Sequence, residues 1–277
     1  MLKMYIPKVY LPLNIQTYRV RFVATELSKE KRVEICEYGY NPNSNSRMRY
    51  NQPGELVLYT STNPRTSYDE TISPNDSDSH FYLSVWRKKD TQQQCSCFIS
   101  AFNSICDDIC SNAHNLKREY SAQLSPTDLS IIESIGCNLE REYSHKNENK
   151  YIKSAEIASH IFKYVDCIIS PSAKNRCEVN ITFNKDFADN SLVLDRVYYC
   201  GPFNSPTSSL VFRVKKIGIV SDNKVVWYNW SIKDCNNKIE QSSETFLFPN
   251  VNKSIYELHD GYLNNTKVEF KIELEAE

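Results

Sequence analysis

The sequence carries no excess of either charge: 33 lysines and arginines stand against 34 aspartates and glutamates in 277 residues. That balance gives no reason to expect a basic patch for nucleic acid or for an anionic membrane surface. Also missing is any apolar run of the ~18–20 residues that a membrane helix requires. From Met1 to Tyr18 the chain is broken by Lys3, Pro7, Lys8 and Pro12, without the uninterrupted hydrophobic stretch of a secretory signal. These absences predict a cytoplasmic location, so the sequons at Asn229-Trp230-Ser231 and Asn264-Asn265-Thr266 carry no weight. There are no internal repeats and no low-complexity tract.

Cysteine, by contrast, is plentiful: ten residues, at 36, 95, 97, 106, 110, 137, 167, 177, 200 and 235. In a chain not expected to be exported, reduced and mostly buried thiols are the default. Cys95, Cys97, Cys106 and Cys110, with His114 nearby, could be weighed as zinc ligands. Their spacing matches none of the regular zinc patterns, so core thiols are expected and a metal is not. The length suits one large domain, or one domain and a small companion, with a sizeable core.

Hydrophobic patterning divides the chain into elements. Tyr18 to Ala24 alternates as a first strand, with Arg19 and Arg21 on one face. Residues 26–48 are polar, a long loop or insertion, and residues 73–79 form a polar connection. His80 to Trp86 alternates as another strand. The cysteine-bearing segment predicts a helix from about Cys97 to Asn112. A second helix starts with Ser125 as cap and Pro126 in the first position, with Leu129, Ile131, Ile132 and Ile135 on one side. Glu140 to Lys150 reads as a surface loop. Tyr151 to Val165 is an amphipathic helix with a stripe of Ile152, Ala155, Ile157, Ala158, Ile161 and Phe162; His160 is read as a core or edge histidine, not a ligand. Beyond Gly201-Pro202 the runs Leu210–Val220 and Lys224–Ile232 form a hairpin about Ser221-Asp222-Asn223, and Val268–Leu274 is a final strand. The expected division is a body of residues 1–204 and a β-rich C-terminal extension of residues 205–277.

The stretch Arg49 to Glu70 concentrates the chemistry. Gln52-Pro53-Gly54 is a turn, proline presetting one dihedral and glycine taking the strained one. Glu55 to Tyr59 is a short buried strand. Asn63 then Pro64 start a helix that carries Thr66, Ser67 and Glu70. On composition alone, Arg49 and Glu70 are a solvated or mutual ion pair and Tyr59 is core.

Taken in order, however, Arg49-Tyr50-Asn51, Pro53-Gly54, Leu58-Tyr59, Thr66-Ser67 and Glu70 resemble the central motif of RES-domain proteins. Ile168-Ile169-Ser170-Pro171-Ser172, before the strand pattern Val179–Phe183, fills the slot of that family's serine motif. Tyr18-Arg19, or Arg21, fills that of its early Tyr-Arg pair. The resemblance spans residues 14–200, and departs where Ser170 replaces a usual tyrosine. It implies an α+β fold like that of ADP-ribosyltransferases, a split antiparallel sheet with helices around a NAD cleft.

The activity it implies is cleavage of the nicotinamide–ribose bond of NAD+, as substrate, by the toxin of a bacterial toxin–antitoxin pair. The transition state of such a reaction resembles an oxocarbenium ion. Glu70 would balance its charge, Arg49 would bind the pyrophosphate, and Tyr59 would offer a flat surface to nicotinamide. Ser172 would hydrogen-bond the substrate, with Arg19, Arg21 and Asn51 as further contacts. Water, inorganic phosphate or a protein side chain could accept the ADP-ribose, so a mono-ADP-ribosyltransferase stays open, as does a non-catalytic binding module. The implied partner is a small antitoxin with a DNA-binding helix-turn-helix; association with a second copy of the chain is left open.

Overall fold

The computed structural model describes residues 9–11, 15–23, 38–40, 45–71, 80–100, 118–119, 121–140, 151–174, 178–201, 213–221, 224–234, 255–257 and 267–276. The described chain is a mixed α+β protein that resolves into two compact units. The first comprises Met1–Arg19, Cys36–Glu70 and Val85–Leu194; the second comprises Val20–Ile35, Thr71–Ser84 and Asp195–Glu277.

In the first unit, strands β1 (Val9–Tyr10), β3 (Val57–Ser61), β5 (Ser96–Ile99), β6 (Cys167–Pro171) and β7 (Val179–Asn184) lie in the order β1-β5-β6-β7-β3. Tyr18 of β2 (Gln16–Val23) pairs with Ser61 of β3. The pairs are antiparallel except β5–β6, which are parallel. A parallel pair needs a long crossover, and helices α2 (Pro126–Glu140) and α3 (Ile152–Ile161) fall between these two strands in sequence.

Register sorts the side chains of β3, β7 and β6 onto two faces, because strand residues alternate with period two. Leu58 and Thr60 of β3 stand opposite Phe183 and Ile181 of β7, which stand opposite Cys167 and Ile169 of β6. This face is core: Leu58, Ile181, Phe183 and Cys167 are at most 1 % exposed. The other face carries Tyr59 and Ser61, then Thr182 and Asn180, then Ile168 and Ser170. That polar face is where α1 (Pro64–Thr71) places its carboxylate.

Several expectations shift. The helix expected from Cys97 does not begin there: Ser96–Ile99 is strand β5, and residues 101–112 lie outside the described ones. Cys97, Phe98 and Ile99 are all buried between β1 and β6, and an apolar run buried on both faces has no alternation to separate strand from helix. Strand β3 starts two residues later than Glu55, which is taken up by the turn before it. In α2 the buried residues are Ile132, Gly136 and Leu139, while Ile131 is 47 % exposed. In α3, Ala155, Ala158 and Ile161 are buried but Ile152 is exposed; His160 is exposed too, its ring edge-on to Tyr164. Ser125 does cap α2, accepting from the Asp128 N–H at 3.2 Å. Of the loop expected at 26–48 only residues 38–40 and 45–48 are described, with Tyr38 buried; Glu140 of the loop expected at 140–150 ends α2, and residues 73–79 and 141–150 lie outside the described ones.

The second unit has strand order β8-β9-β10-β12-β11, with β8 (Leu192–Gly201) entering it from Asp195, β9 (Arg213–Ser221), β10 (Lys224–Asp234), β11 (Ile255–Glu257) and β12 (Lys267–Ala276). The hairpin and the final strand read from the sequence are β9–β10 and β12. Gly218 of β9 faces Trp227 across the hairpin. A Cβ there would lie 2.4 Å from Val225 Cγ1 and 3.1 Å from Trp227 Cζ3, so Trp227 packs where only glycine leaves room. Overpacking of this kind costs about 1–3 kcal/mol. Gly218→Ala is expected to lower the thermal midpoint by several degrees in a melt followed by circular dichroism; an unchanged midpoint would mean that the hairpin relaxes freely.

Candidate active site

Three local structures converge on the polar face of the first unit. The first is the pair of turns that precedes β3. Met48 and Asn51 exchange backbone hydrogen bonds, which places Arg49 and Tyr50 at the tip of a tight turn. Directly after it, the Glu55 N–H donates to the Gln52 carbonyl at 3.0 Å, with Pro53 and Gly54 between them. Gly54 has φ +86°, so this is a turn whose second central position needs a residue without a Cβ. The turn read from Gln52-Pro53-Gly54 is present.

Tyr59 ties these turns to the sheet. Its hydroxyl accepts the Tyr50 N–H at 2.9 Å and donates to Asn51 Oδ1 at 3.1 Å. Burial pushes this phenol well above its ordinary pKa, and the guanidinium groups of Arg49 and Arg19 offset that only in part. It therefore keeps its proton as a donor. The Tyr50 ring lies 5.9 Å from that of Tyr59, and the Arg49 guanidinium carbon sits 5.8 Å from the Tyr50 centroid, in cation–π range. Asn51 Nδ2 is engaged by the Ser46 and Gln52 carbonyls, both at 3.2 Å. Arg19 Nη1 donates to the Tyr59 carbonyl at 2.9 Å, bracing the same strand. Arg21 belongs to the second unit.

The second local structure is α1. Asn63 Oδ1 accepts the Arg65 N–H at 2.8 Å and Pro64 opens the helix, the cap and first residue read from the sequence. Thr66, Ser67 and Tyr68 are buried, which leaves Glu70 half-buried at the helix end that approaches the sheet.

The third is the chain that leaves β6. Ser172 is 1 % exposed, and its N–H donates to the Glu178 carbonyl at 2.8 Å. Its hydroxyl donates to Glu70 Oε1 in a short hydrogen bond. The Ala173 N–H reaches the same oxygen at 2.6 Å, Asn180 Nδ2 at 3.1 Å, and the Lys174 N–H more distantly at 3.4 Å. Among the described residues, every hydrogen bond to this carboxylate goes to Oε1 and Oε2 accepts none.

Glu70 and Ser172, read from separate motifs, are thus in direct contact, and so are Tyr59 and the Arg49 turn. The two pairs share one sheet face: Tyr59 and Ser61 are alternate residues of β3, and Ser61 reaches Glu70 through Asn180. Asn180 and Ser61 went unread because polar residues at alternate strand positions look like a solvated face. Beneath them, the hydroxyls of Ser170 and Thr182 are fully buried without a hydrogen-bond partner among the described residues.

Three thiols gather on the opposite flank. Cys95, Cys97 and Cys167 are fully buried, with Cys95 and Cys167 sulfurs 3.8 Å apart. Burial and the neighbouring thiols push Cys167 well above its ordinary pKa, which keeps it neutral and unreactive. Cys106, Cys110 and His114 lie outside the described residues, and among the described ones no His, Cys, Asp and Glu group is arranged to hold a metal. Likewise, no described helix is long and apolar enough to cross a membrane.

No known protein-family model matches the chain, and no curated protein does. Among solved structures it is similar to a chain of the M. tuberculosis MbcT–MbcA toxin–antitoxin complex, with a TM-score of 0.36 and 9 % identity, over 70 % of this chain and 87 % of that one. A likeness that low does not bear on activity.

Proposed function

We propose that the chain cleaves the bond between nicotinamide and ribose in NAD+, and that it does so as the toxin of a toxin–antitoxin pair. The observation that carries this reading is the lopsided carboxylate of Glu70, with one oxygen held by Ser172, Ala173 and Asn180 and the other accepting no hydrogen bond among the described residues. A carboxylate fixed in this way is preorganised: it can accept from a ribose hydroxyl and face the developing positive charge without reorienting. As the C1′–N bond breaks, its electron pair moves to the ring nitrogen and neutralises the pyridinium, while C1′ takes on oxocarbenium character. Glu70 lowers the cost of that charge more in the transition state than in bound NAD+, which is what accelerates the step.

Arg49, displayed at a turn tip, suits the pyrophosphate, because guanidinium gives two parallel charge-assisted bonds to phosphate oxygens. Ser172 acts on the carboxylate and not as a nucleophile, since its proton is committed to Glu70. Tyr59 holds the Arg49 turn through its hydroxyl, and its half-buried ring remains the candidate surface for nicotinamide. The resemblance to RES-domain proteins supports the same reading through the order Arg49, Glu70, Ser172. A protein that consumes NAD+ would stop the growth of its own cell, which is the reason a neutralising antitoxin belongs to the proposal.

The test is purified protein incubated with NAD+, with and without inorganic phosphate, and products identified by mass. Free nicotinamide is expected, with ADP-ribose or its phosphate ester as co-product. ADP-ribose attached to a protein would make the chain a transferase, and NAD+ recovered intact would overturn the reading.

A further inference from the structure

Glu70 must be held in one orientation for its open oxygen to serve the reaction, and the holding group comes from a strand that neither motif contains. Asn180 lies on β7, half-buried, with Nδ2 3.1 Å from Glu70 Oε1 and Oδ1 2.5 Å from Ser61 Oγ. The orientation of an amide is normally an assignment, since its oxygen and nitrogen look alike. Here chemistry fixes it. An ionised carboxylate only accepts, so the amide atom facing Glu70 must be the nitrogen. The atom facing Ser61 is then the oxygen, and the Ser61 hydroxyl must donate to it. The result is a directed line: Ser61 O–H to Asn180 C=O, and Asn180 N–H to Glu70 Oε1. Each bond polarises the next, and the last ends on a charged acceptor, the stronger kind of hydrogen bond.

We infer that Asn180 is a positioning residue for Glu70, oriented in turn by Ser61, in the NAD+ cleavage proposed above, on which this inference rests. In this role Asn180 would act through Glu70 and not on the substrate. Its amide shares Oε1 with the Ser172 hydroxyl and the Ala173 N–H, and so leaves Oε2 without a hydrogen bond among the described residues. Backbone position alone does not provide this, because Glu70 sits near the end of α1, where a glutamate side chain has rotamer freedom.

Two substitutions at this position separate positioning from mere packing. Asn180→Leu removes both hydrogen bonds and keeps the branched heavy-atom outline. Asn180→Asp is nearly isosteric and keeps the acceptor for Ser61, but replaces the donor with a second carboxylate facing Glu70. If Asn180 were only structural, kcat in either variant would fall only as far as the thermal midpoint does. A positioning role predicts loss of kcat at a preserved midpoint, larger for Asp. We expect kcat for nicotinamide release to fall about 10- to 100-fold in Asn180→Leu, the scale of one hydrogen bond to a charged group. In Asn180→Asp it should fall at least about tenfold further, because two carboxylates this close share one proton and Glu70 loses part of its charge. KM for NAD+ should stay within about threefold in both, because Arg49 and the pyrophosphate are untouched. Ser61→Ala, which frees the amide to flip, should cost kcat less than either.

Thermal midpoints measured beside the kinetics complete the test. Loss of kcat that tracks the midpoint, or Asp no worse than Leu, overturns the inference while wild-type turnover leaves the NAD+ reading intact. Wild-type protein that does not cleave NAD+ defeats the reading itself, and the inference with it.

Discussion

Glu70→Gln should abolish nicotinamide release without unfolding the protein. The amide keeps the shape of the carboxylate and one oxygen to accept from Ser172, Ala173 and Asn180, but carries no charge to set against an oxocarbenium ion. Removing one preorganised electrostatic group from an active site costs about 10² to 10³ in kcat. KM should change little, because the ground-state nicotinamide ribose has yet to develop the charge that Glu70 opposes. Stopped assays of nicotinamide by liquid chromatography, paired with a circular dichroism melt, decide it. Retained turnover would reduce Glu70 to the anchor of the Ser172–Lys174 segment.

Tyr59→Phe is the second large effect, and it acts at a distance from the bond that breaks. The ring is kept, so any stacking surface for nicotinamide is kept. What is lost is a hydroxyl that satisfies the N–H of Tyr50, itself only 2 % exposed, and the side-chain oxygen of buried Asn51. Leaving such groups unpaired costs about 1–3 kcal/mol. The turn that carries Arg49 would then shift, and a misplacement of about 1 Å at a substrate-positioning group costs about 10² in rate. The loss should appear mainly as raised KM with a lowered melting point. A pure nicotinamide-stacking role for Tyr59 would leave both unchanged in this variant. No pH change within the stable range should mimic the substitution, since burial holds the phenol protonated far above its ordinary pKa.

Local signals in the sequence account for much of this arrangement. Asn63-Pro64 is a helix start wherever it falls before a helical run, and Pro53-Gly54 needs no partner to form its turn. In β7 the alternation follows from a core face of Val179, Ile181 and Phe183, whereas β4 (His80–Lys88) is buried on both faces from Phe81 to Trp86. Register is a different matter. Ser61 and Asn180 meet across 119 positions, and nothing in either strand alone says which residue of the other it will face. The same limit hides the hydrogen bond that Arg19 Nη1 donates to the Tyr59 carbonyl, forty positions away. For β5 the difficulty was burial on both sides, which erases periodicity. Ile131 and Ile152 show the converse: helical spacing offered them to the core, but the faces that became buried are those of Ile132 and Ala155.

The central claim is that Arg49 and Glu70 act on one dinucleotide, the guanidinium on its pyrophosphate and the carboxylate on its nicotinamide ribose. Equilibrium binding of NAD+ to Arg49→Ala and to Glu70→Gln, measured by calorimetry on folded protein, tests it most directly. The account predicts that Arg49→Ala loses at least about tenfold in affinity, as expected for a lost charge-assisted pair, while Glu70→Gln binds NAD+ as the wild type does and leaves it uncleaved. Wild-type affinity in Arg49→Ala, or cleavage by Glu70→Gln at the wild-type rate, would contradict it.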